Sequence, residues 1–208
     1  MKIIKTSLFT FFFLFVSLLL SCMGDEADME GCGSVDPYFE IQDLEASPHK
    51  RTTGTSPWAV ADRSEDVYSH LYYIGVKLVS RYHSFNRTTG GGSNLYALTC
   101  PQPGHGGSKE GLDRLFIVTL NDYNENYAAN DTINNMVMYS DWFRDDGNLK
   151  PLEEYVEENK DGVKNESFLL KLAESPTEER SEQAFKIIYI LNNGARFETI
   201  TYPVMIRK

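Results

Sequence analysis

The sequence is poor in cationic residues and in histidine, and each shortage excludes a class of function. Its 208 residues include 20 Lys and Arg against 30 Asp and Glu, which gives a net charge of −10 at pH 7. A surface this acidic repels phosphate backbones, so nucleic-acid binding is disfavoured. The histidines, His49, His70, His83 and His105, lack the spacing of a metal site. The sequence therefore predicts neither a nucleic-acid partner nor a metal or other cofactor.

Long apolar runs are also missing, except at the amino terminus. Lys2 and Lys5 precede an almost unbroken apolar stretch over residues 8–20. That stretch suits a secretory signal and is short for a membrane span, which needs about 20 apolar residues. Its end, LLSC, resembles the lipobox of bacterial lipoproteins, in which the cysteine receives the lipid. The pattern predicts a signal peptide over residues 1–21 and lipid attachment at Cys22; an ordinary cleaved signal is the alternative.

Cysteine is scarce, and lipidation would leave only Cys32 and Cys100. Export would place both in an oxidising space, where they can pair as a disulfide; two unpaired thiols are the alternative. Residues 22–36 are small and acidic and predict a flexible tether. Asp25 and Glu26 resemble the signal that sends Bacteroidetes lipoproteins to the outer face of the outer membrane. A domain facing the periplasm is the alternative, because acids also keep a tether solvated.

Residues 37–208 predict a single all-β domain with mainly antiparallel strands. Strand patterns occupy residues 38–44, 67–82, 95–100, 115–120 and 168–172. At the carboxy terminus, residues 185–191 and 195–206 predict a hairpin that turns at Asn192-Asn193-Gly194, because Asn and Gly tolerate positive φ angles. Pro203 predicts an edge or a bulge in the second strand, because it has no N–H to donate.

One short crossover helix is expected within this β domain. Pro151 suits a first helical turn, and Glu153 and Glu154 complement the positive end of a helix. Seven or eight short strands with turn signals predict an immunoglobulin-like β-sandwich. A small β-barrel is the alternative.

Four features of the chain together resemble a known family. They are the lipobox, residues 37–44 (PYFEIQDL), the strand that runs into residues 120–124 (LNDYN), and the closing hairpin. Together they look like a family of uncharacterised Bacteroidetes lipoproteins with a domain of unknown function. The resemblance covers nearly the whole chain after residue 21. It implies an exported immunoglobulin-like domain and supplies no catalytic residues.

Two loops approach known binding motifs without completing them. Residues 104–111 lack the Gly-Lys-Ser/Thr ending of a phosphate-binding loop, so a flexible, solvated loop is predicted. Asp122, Asn124 and Asn126 have the oxygen spacing of a calcium loop, but the required glycine and glutamate are absent. A polar loop whose side chains bind its own backbone is predicted there, and a looser calcium site is the alternative.

One short motif predicts a covalent modification. The segment DTI at residues 131–133 resembles the acceptor of the O-glycosylation system found in Bacteroidetes. It is the only Asp-Thr or Asp-Ser pair in the chain. Thr132, in a loop expected to be exposed, is therefore the candidate O-glycosylation site.

No catalytic motif is present, so the sequence predicts a non-enzymatic binding or accessory domain for a glycan or an envelope protein. Twelve tyrosines suit such contacts, although packing accounts for most of them. The alternatives are a structural subunit that assembles through edge strands and a hydrolase that uses two of the carboxylates. An exposed aromatic platform would favour glycan binding, an uncovered edge strand would favour assembly, and a rigid acidic pair would favour the hydrolase.

Overall fold

The computed structural model describes residues 36–52, 58–82, 102–141 and 148–208. All of these residues belong to one compact unit, which comprises Val35–Ser84 and Gln102–Lys208. Several predictions lie outside the described residues: the signal peptide, most of the tether, Cys22, Cys32, Cys100 and the strand at residues 95–100.

Thirteen strands and one α-helix are described. The strands are β1 (Tyr38–Arg51), β2 (Trp58–Val60), β3 (Asp66–Tyr68), β4 (Tyr72–Tyr82), β5 (Gly107–Ser108), β6 (Leu112–Thr119), β7 (Val137–Asp141), β8 (Lys150–Pro151), β9 (Ser167–Leu172), β10 (Arg180–Gln183), β11 (Phe185–Leu191), β12 (Arg196–Ile200) and β13 (Val204–Arg207), and the helix is α1 (Leu152–Glu158). Short 3-10 turns at Ser69–Leu71 and Asn134–Met136 precede β4 and β7.

The strands form three open sheets. The large sheet has the order β2-β1-β4-β9-β7-β8, with β5 paired to β1. The hairpin sheet has the order β12-β11-β6, and the small sheet has the order β10-β13-β3. Only the β1–β5 and β3–β13 pairs are parallel among the described pairings. The prediction of an all-β, mainly antiparallel sandwich is confirmed, and these sheets do not close into a barrel.

One apolar core joins the sheets. Tyr72 of β4 and Phe185 of β11 are both almost fully buried, and their ring centroids lie 6.1 Å apart. Tyr123, from the loop after β6, meets Phe185 edge-on at the same distance of 6.1 Å. Burying a side chain of this size stabilises the fold by about 1.5–3 kcal/mol, so these rings are a major contribution to the contact between sheets.

Helix α1 is the predicted crossover helix. It leads from β8 to β9, which both pair antiparallel with β7 and therefore run parallel to each other. Tyr155 anchors the helix, since its ring lies 4.3 Å from Phe168 and 5.2 Å from Tyr139, measured between centroids. The helix begins at Leu152, so Pro151 is its N-cap residue and lies one position before the first helical turn in which it was expected.

The predicted single strand at 67–82 is wrong, because the turn at Ser69–Leu71 divides it. The part before the turn, β3, joins the small sheet, whereas β4 lies in the large sheet. Within β4, Tyr72 and Leu78 are both buried, whereas Tyr82 at its end is 44% exposed. The chain changes sheet here because β3 pairs with β13, a partner that local alternation cannot reveal.

The second strand of the hairpin is also shorter than predicted. Residues 185–191 and the turn agree with the structure, and Gly194 has a φ of 85°. The returning strand ends at Ile200, and β13 starts at Val204 in the small sheet. The break falls where Thr201 supplies both a backbone N–H and a hydroxyl acceptor to Phe185, just before Pro203, which has no N–H.

The prediction of a flexible, solvated loop at 104–111 is wrong, because part of this segment is packed into the domain. Gly107, Ser108 and Gly111 are buried. The Ser108 hydroxyl group donates to the carbonyl of Glu110 at 2.5 Å and accepts from the N–H of Val163 at 2.7 Å. Glycine is needed because its missing side chain allows two backbone segments to lie in contact.

Candidate functional site

The hairpin sheet turns one side to the core and the other outward. Ile117, Ile187 and Tyr189 belong to the core cluster, so the alternate residues of the same strands point away from it. Three rows of side chains cross this outward side, and we call them the basic face. The rows are Arg114–Ile190–Arg196, Phe116–Ile188–Glu198 and Val118–Lys186–Ile200.

The basic face is unusually apolar for the outer side of a sheet. Five of its nine residues are apolar, although an antiparallel sheet normally places polar residues on its solvent side. Val118 and Ile188 are each only 8% exposed although they lie outside the core cluster. Phe116 is half-buried, and Ile200 is 57% exposed. The face therefore has a sheltered apolar centre and an open apolar rim.

The basic face is positively charged, although the chain as a whole is negatively charged. Its three cations and one acid give 3 − 1 = +2, whereas the whole chain carries −10. Arg196 Nε donates to Glu198 Oε1 at 2.6 Å, and Arg114 pairs with its neighbour Asp113 at 2.9 Å. Both pairs are solvent-exposed and contribute about 0–1 kcal/mol, so an incoming carboxylate could replace the present partner. Lys186 has no ionic partner among the described residues.

One edge of the hairpin sheet is sealed by the loop at 121–135. The N–H of Ile133 donates to the carbonyl of Ile117 at 2.8 Å. The side chain of Asn134 then acts as a strand residue would: its Oδ1 accepts from the N–H of Ile117 at 2.8 Å and its Nδ2 donates to the carbonyl of Leu115 at 2.7 Å. The outer edge of β6 is therefore closed to further strands, which leaves β12 as the terminal strand of this sheet.

The loop side chains that resemble a calcium loop are used within the loop itself. Asp122 Oδ1 accepts from the N–H of Ala129 at 2.8 Å, and Asn124 Oδ1 accepts from the N–H of Asn126 at 2.9 Å. The prediction of a polar loop that binds its own backbone is confirmed. Across the described residues, no group of three or more His, Cys, Asp or Glu side chains has the arrangement of a metal site.

Thr132 lies beside the basic face. It is exposed, and its backbone forms an isolated antiparallel bridge with Val118, which extends the third row of the face. A glycan on Thr132 would therefore stand at the border of that surface. Glycosylation of this residue stays a prediction.

Six of the eleven tyrosines that the structure describes are buried, as packing predicts, and three are about half-exposed. They are Tyr38 at 46%, Tyr68 at 47% and Tyr82 at 44%. Tyr38 and Tyr82 lie at one end of the large sheet, where the turn at 104–106 contacts both rings. Burial, followed by a hydrogen bond to the carboxylate of Glu166, raises the pKa of Tyr82 to about 12. This end of the sheet is the described region that comes nearest to an aromatic platform.

Histidine occurs in two environments. His49 is buried at 5% exposure, and its Nδ1 lies 3.0 Å from the carbonyl oxygen of Ser47. Burial lowers the pKa of His49 below its usual value, because a charged imidazole would lose its hydration. His70 is exposed beside β4, and His105 is exposed on the glycine-rich turn. His83 lies outside the described residues.

Acidic side chains with displaced pKa values are held by cations. Hydrogen bonds from Arg180 lower the pKa of Asp66, which Arg207 also contacts at 2.9 Å. Lys150 lowers the pKa of Glu158 in the same way, at 2.5 Å. A general acid near neutral pH needs a raised carboxyl pKa, whereas the pKa values of Asp66 and Glu158 are lowered. These ion pairs therefore have the properties of structural contacts between elements.

The basic face is not recognisable as a unit in the amino-acid sequence. Its signal is visible only after pairing is known, because Arg114, Lys186 and Arg196 come from three strands separated along the chain. Among the described residues, no helix has the length and hydropathy to cross a membrane. Comparison with known proteins gives no match, whether to family models, to curated sequences or to solved structures. The resemblance to a lipoprotein family therefore stays a prediction.

Proposed function

We propose that this chain is a membrane-tethered, non-enzymatic binding domain whose basic face receives an acidic surface of an envelope protein. The lipid on Cys22 would hold the domain to the outer membrane, with residues 22–36 as the tether. Asp25 and Glu26 favour the outer face of that membrane over the periplasm. The lipobox and the acidic run support this location, and the basic face supports the binding role.

The observation that carries the proposal is the combination of apolar and cationic residues on one sheet surface. Phe116 supplies apolar area at the centre and Ile200 supplies it at the rim, while Arg114 and Arg196 lie at the two ends of the first row. Aromatic residues and arginine are enriched where proteins bind proteins, whereas glutamate and lysine are depleted. An acidic partner would gain pairing with the cations and would bury the exposed part of Ile200.

The size of the face indicates a weak, exchangeable contact. The three strands lie about 4.8 Å apart, and the three rows span about 14 Å along the strands. With the side chains included, the face has an area of roughly 300 Å². Stable complexes bury about 800 Å² on each partner, so this face alone would support a transient interface. The partner should therefore be captured covalently in place, because it would dissociate during purification.

A second candidate, glycan binding, is favoured by the half-exposed rings of Tyr38 and Tyr82. Tyrosine combines an apolar ring with a polar tip, which suits the mixed surface of a sugar. Binding of the full-length chain to an array of envelope glycans would test it. We expect any such binding to fall in Tyr82→Ala and to persist in Tyr68→Ala, which removes a ring of similar exposure from the small sheet.

The principal test places a photoreactive phenylalanine analogue at Ile200 in the full-length chain, expressed in intact cells. The control position is Tyr68, which is 47% exposed on a different sheet. Irradiation should give discrete protein adducts from position 200 and none from position 68. Adding Lys186→Glu to the position-200 chain should remove the adducts, because it reverses the charge of the cation in the same row.

Two results would overturn this assignment. Adducts that form equally from both positions would indicate non-specific contact with crowded neighbours. Adducts from position 200 that survive Lys186→Glu at full yield would show that charge on the basic face is irrelevant to the contact.

A further inference from the structure

The charge distribution of the chain makes a second copy a suitable partner for the basic face. The face carries +2, so the residues outside it carry −10 − 2 = −12. Helix α1 alone exposes Glu153, Glu154 and Glu157, and only Glu157 has a basic partner among the described residues, Lys160. Each copy therefore offers both a cationic surface and a much larger acidic one.

A symmetric contact between two basic faces is disfavoured. In such a dimer the same patch meets itself, so Arg114, Lys186 and Arg196 of one copy would approach the same cations of the other. Like charges brought together across an interface repel each other and oppose that arrangement. A contact between unlike surfaces of two copies avoids this repulsion.

We propose that the basic face of one copy binds the acidic surface of a second copy, head to tail. This inference rests on the proposed function and identifies one partner of the same face. Lipid anchoring would confine the copies to a membrane surface, which raises their effective concentration and favours a contact too weak to persist in dilute solution.

The net charge of the chain gives the contact a diagnostic dependence on salt. At about 0.01 M salt the Debye length is about 30 Å, so two chains that are both strongly negative repel each other as whole bodies. At about 0.1 M it falls to about 10 Å, which screens that repulsion while close ion pairs persist. At about 1 M it is about 3 Å, and the pairs are screened too. Association should therefore be strongest at the intermediate concentration.

The test uses two full-length copies with different fluorescent carboxy-terminal tags, anchored together in uncharged lipid vesicles so that the membrane keeps their effective concentration high. Energy transfer between the tags is measured at the three salt concentrations, and its excess over the value for randomly placed copies gives the retention of one copy by the other. Retention should peak near 0.1 M. In the chain Lys186→Gln/Arg196→Gln, retention at that salt should fall about tenfold, because two of the three cations are lost. The matched control, Lys77→Gln/Arg81→Gln, removes two exposed cations from β4 and should retain the wild-type level.

Mixed pairs test the head-to-tail arrangement. Two wild-type copies can bind in two ways, because either copy can supply the basic face. A neutralised copy keeps only its acidic surface, so it can bind a wild-type copy in one of these two ways. Retention of the neutralised copy by wild type should therefore be about half of the wild-type value, against about a tenth for two neutralised copies.

Three outcomes would overturn this inference: no retention near 0.1 M, retention that rises steadily to 1 M, or equal loss in the β4 control. The first outcome, combined with adducts from position 200 to an unlike protein, would reject the second copy and leave the proposed function standing. Absence of both retention and adducts would reject the two together.

Discussion

The backbone at Gly111 is packed closely against the backbone at Asn159–Lys160 and at Asn192. Replacement of Gly111 by alanine should therefore destabilise the domain strongly. A Cβ there would lie 1.8 Å from the carbonyl oxygen of Lys160, whereas ordinary contacts begin near 3.4 Å. Relief requires a backbone shift of more than an ångström. Three hydrogen bonds would be strained: Leu112 N–H to Asn159 O at 2.8 Å, Asn192 N–H to Gly111 O at 2.9 Å, and Asn192 Nδ2 to Lys160 O at 2.6 Å. At about 1 kcal/mol each, Gly111→Ala should cost about 3 kcal/mol.

Thermal unfolding of the full-length chain in detergent measures this cost. For a domain of this size about 1 kcal/mol lowers Tm by about 2–4 °C, so Gly111→Ala should lower it by about 6–12 °C. Gly194→Ala is the matched control, because no atom lies within 4 Å of its added Cβ but its φ is +85°. That change should cost only the left-handed strain, about 1 kcal/mol.

Equal melting temperatures for the two glycine variants would refute this reasoning. So would a Gly111→Ala chain that melts within about 1 °C of wild type, since the surrounding backbone would then yield without cost.

Two further predictions concern a buried histidine and the sealed edge. Because burial lowers the pKa of His49, the unfolded chain binds the proton at a higher pH than the folded chain does, and stability is lost as pH falls below about 6.5. His49→Gln should flatten this decline, measured by urea unfolding between pH 7.5 and 5.5, and an unchanged decline would contradict the reasoning. Asn134→Ala should lower the free energy of unfolding in urea by about 2–3 kcal/mol, since two backbone groups of β6 lose their partner. The control is Asn126→Ala, at an exposed position of the same loop. An equal loss of stability in the two variants would contradict the proposed role of Asn134 in closing the edge.

The features that the sequence predicts well depend on neighbouring residues. The turn at 192–194 follows from the conformational freedom of Asn and Gly, and the start of α1 follows from Pro151 and the acids after it. The strand break at Ser69–Leu71 could not be predicted in this way, because alternation continues through it. Its cause is the pairing of β3 with β13.

The basic face could not be predicted because both sides of β11 are apolar. Ile187 faces the core and Ile188 faces outward, yet the two side chains are equivalent in the sequence pattern. Which side of β11 is buried depends on which side packs against the large sheet. That contact joins distant parts of the chain, so local sequence does not reveal it. The role of Asn134 could not be predicted for a similar reason. Its carboxamide group takes the place of a neighbouring strand, but in the sequence Asn134 looks like any polar loop residue.

The parallel pairing of β3 with β13 has a consequence for how the protein is made. Asp66 lies opposite Met205, which is 205 − 66 = 139 residues later in the chain. The small sheet therefore cannot form until almost the whole polypeptide has been synthesised, and contacts this distant also slow folding. A chain that ends before Val204 would therefore leave both β3 and β10 without the strand that they pair with in this sheet.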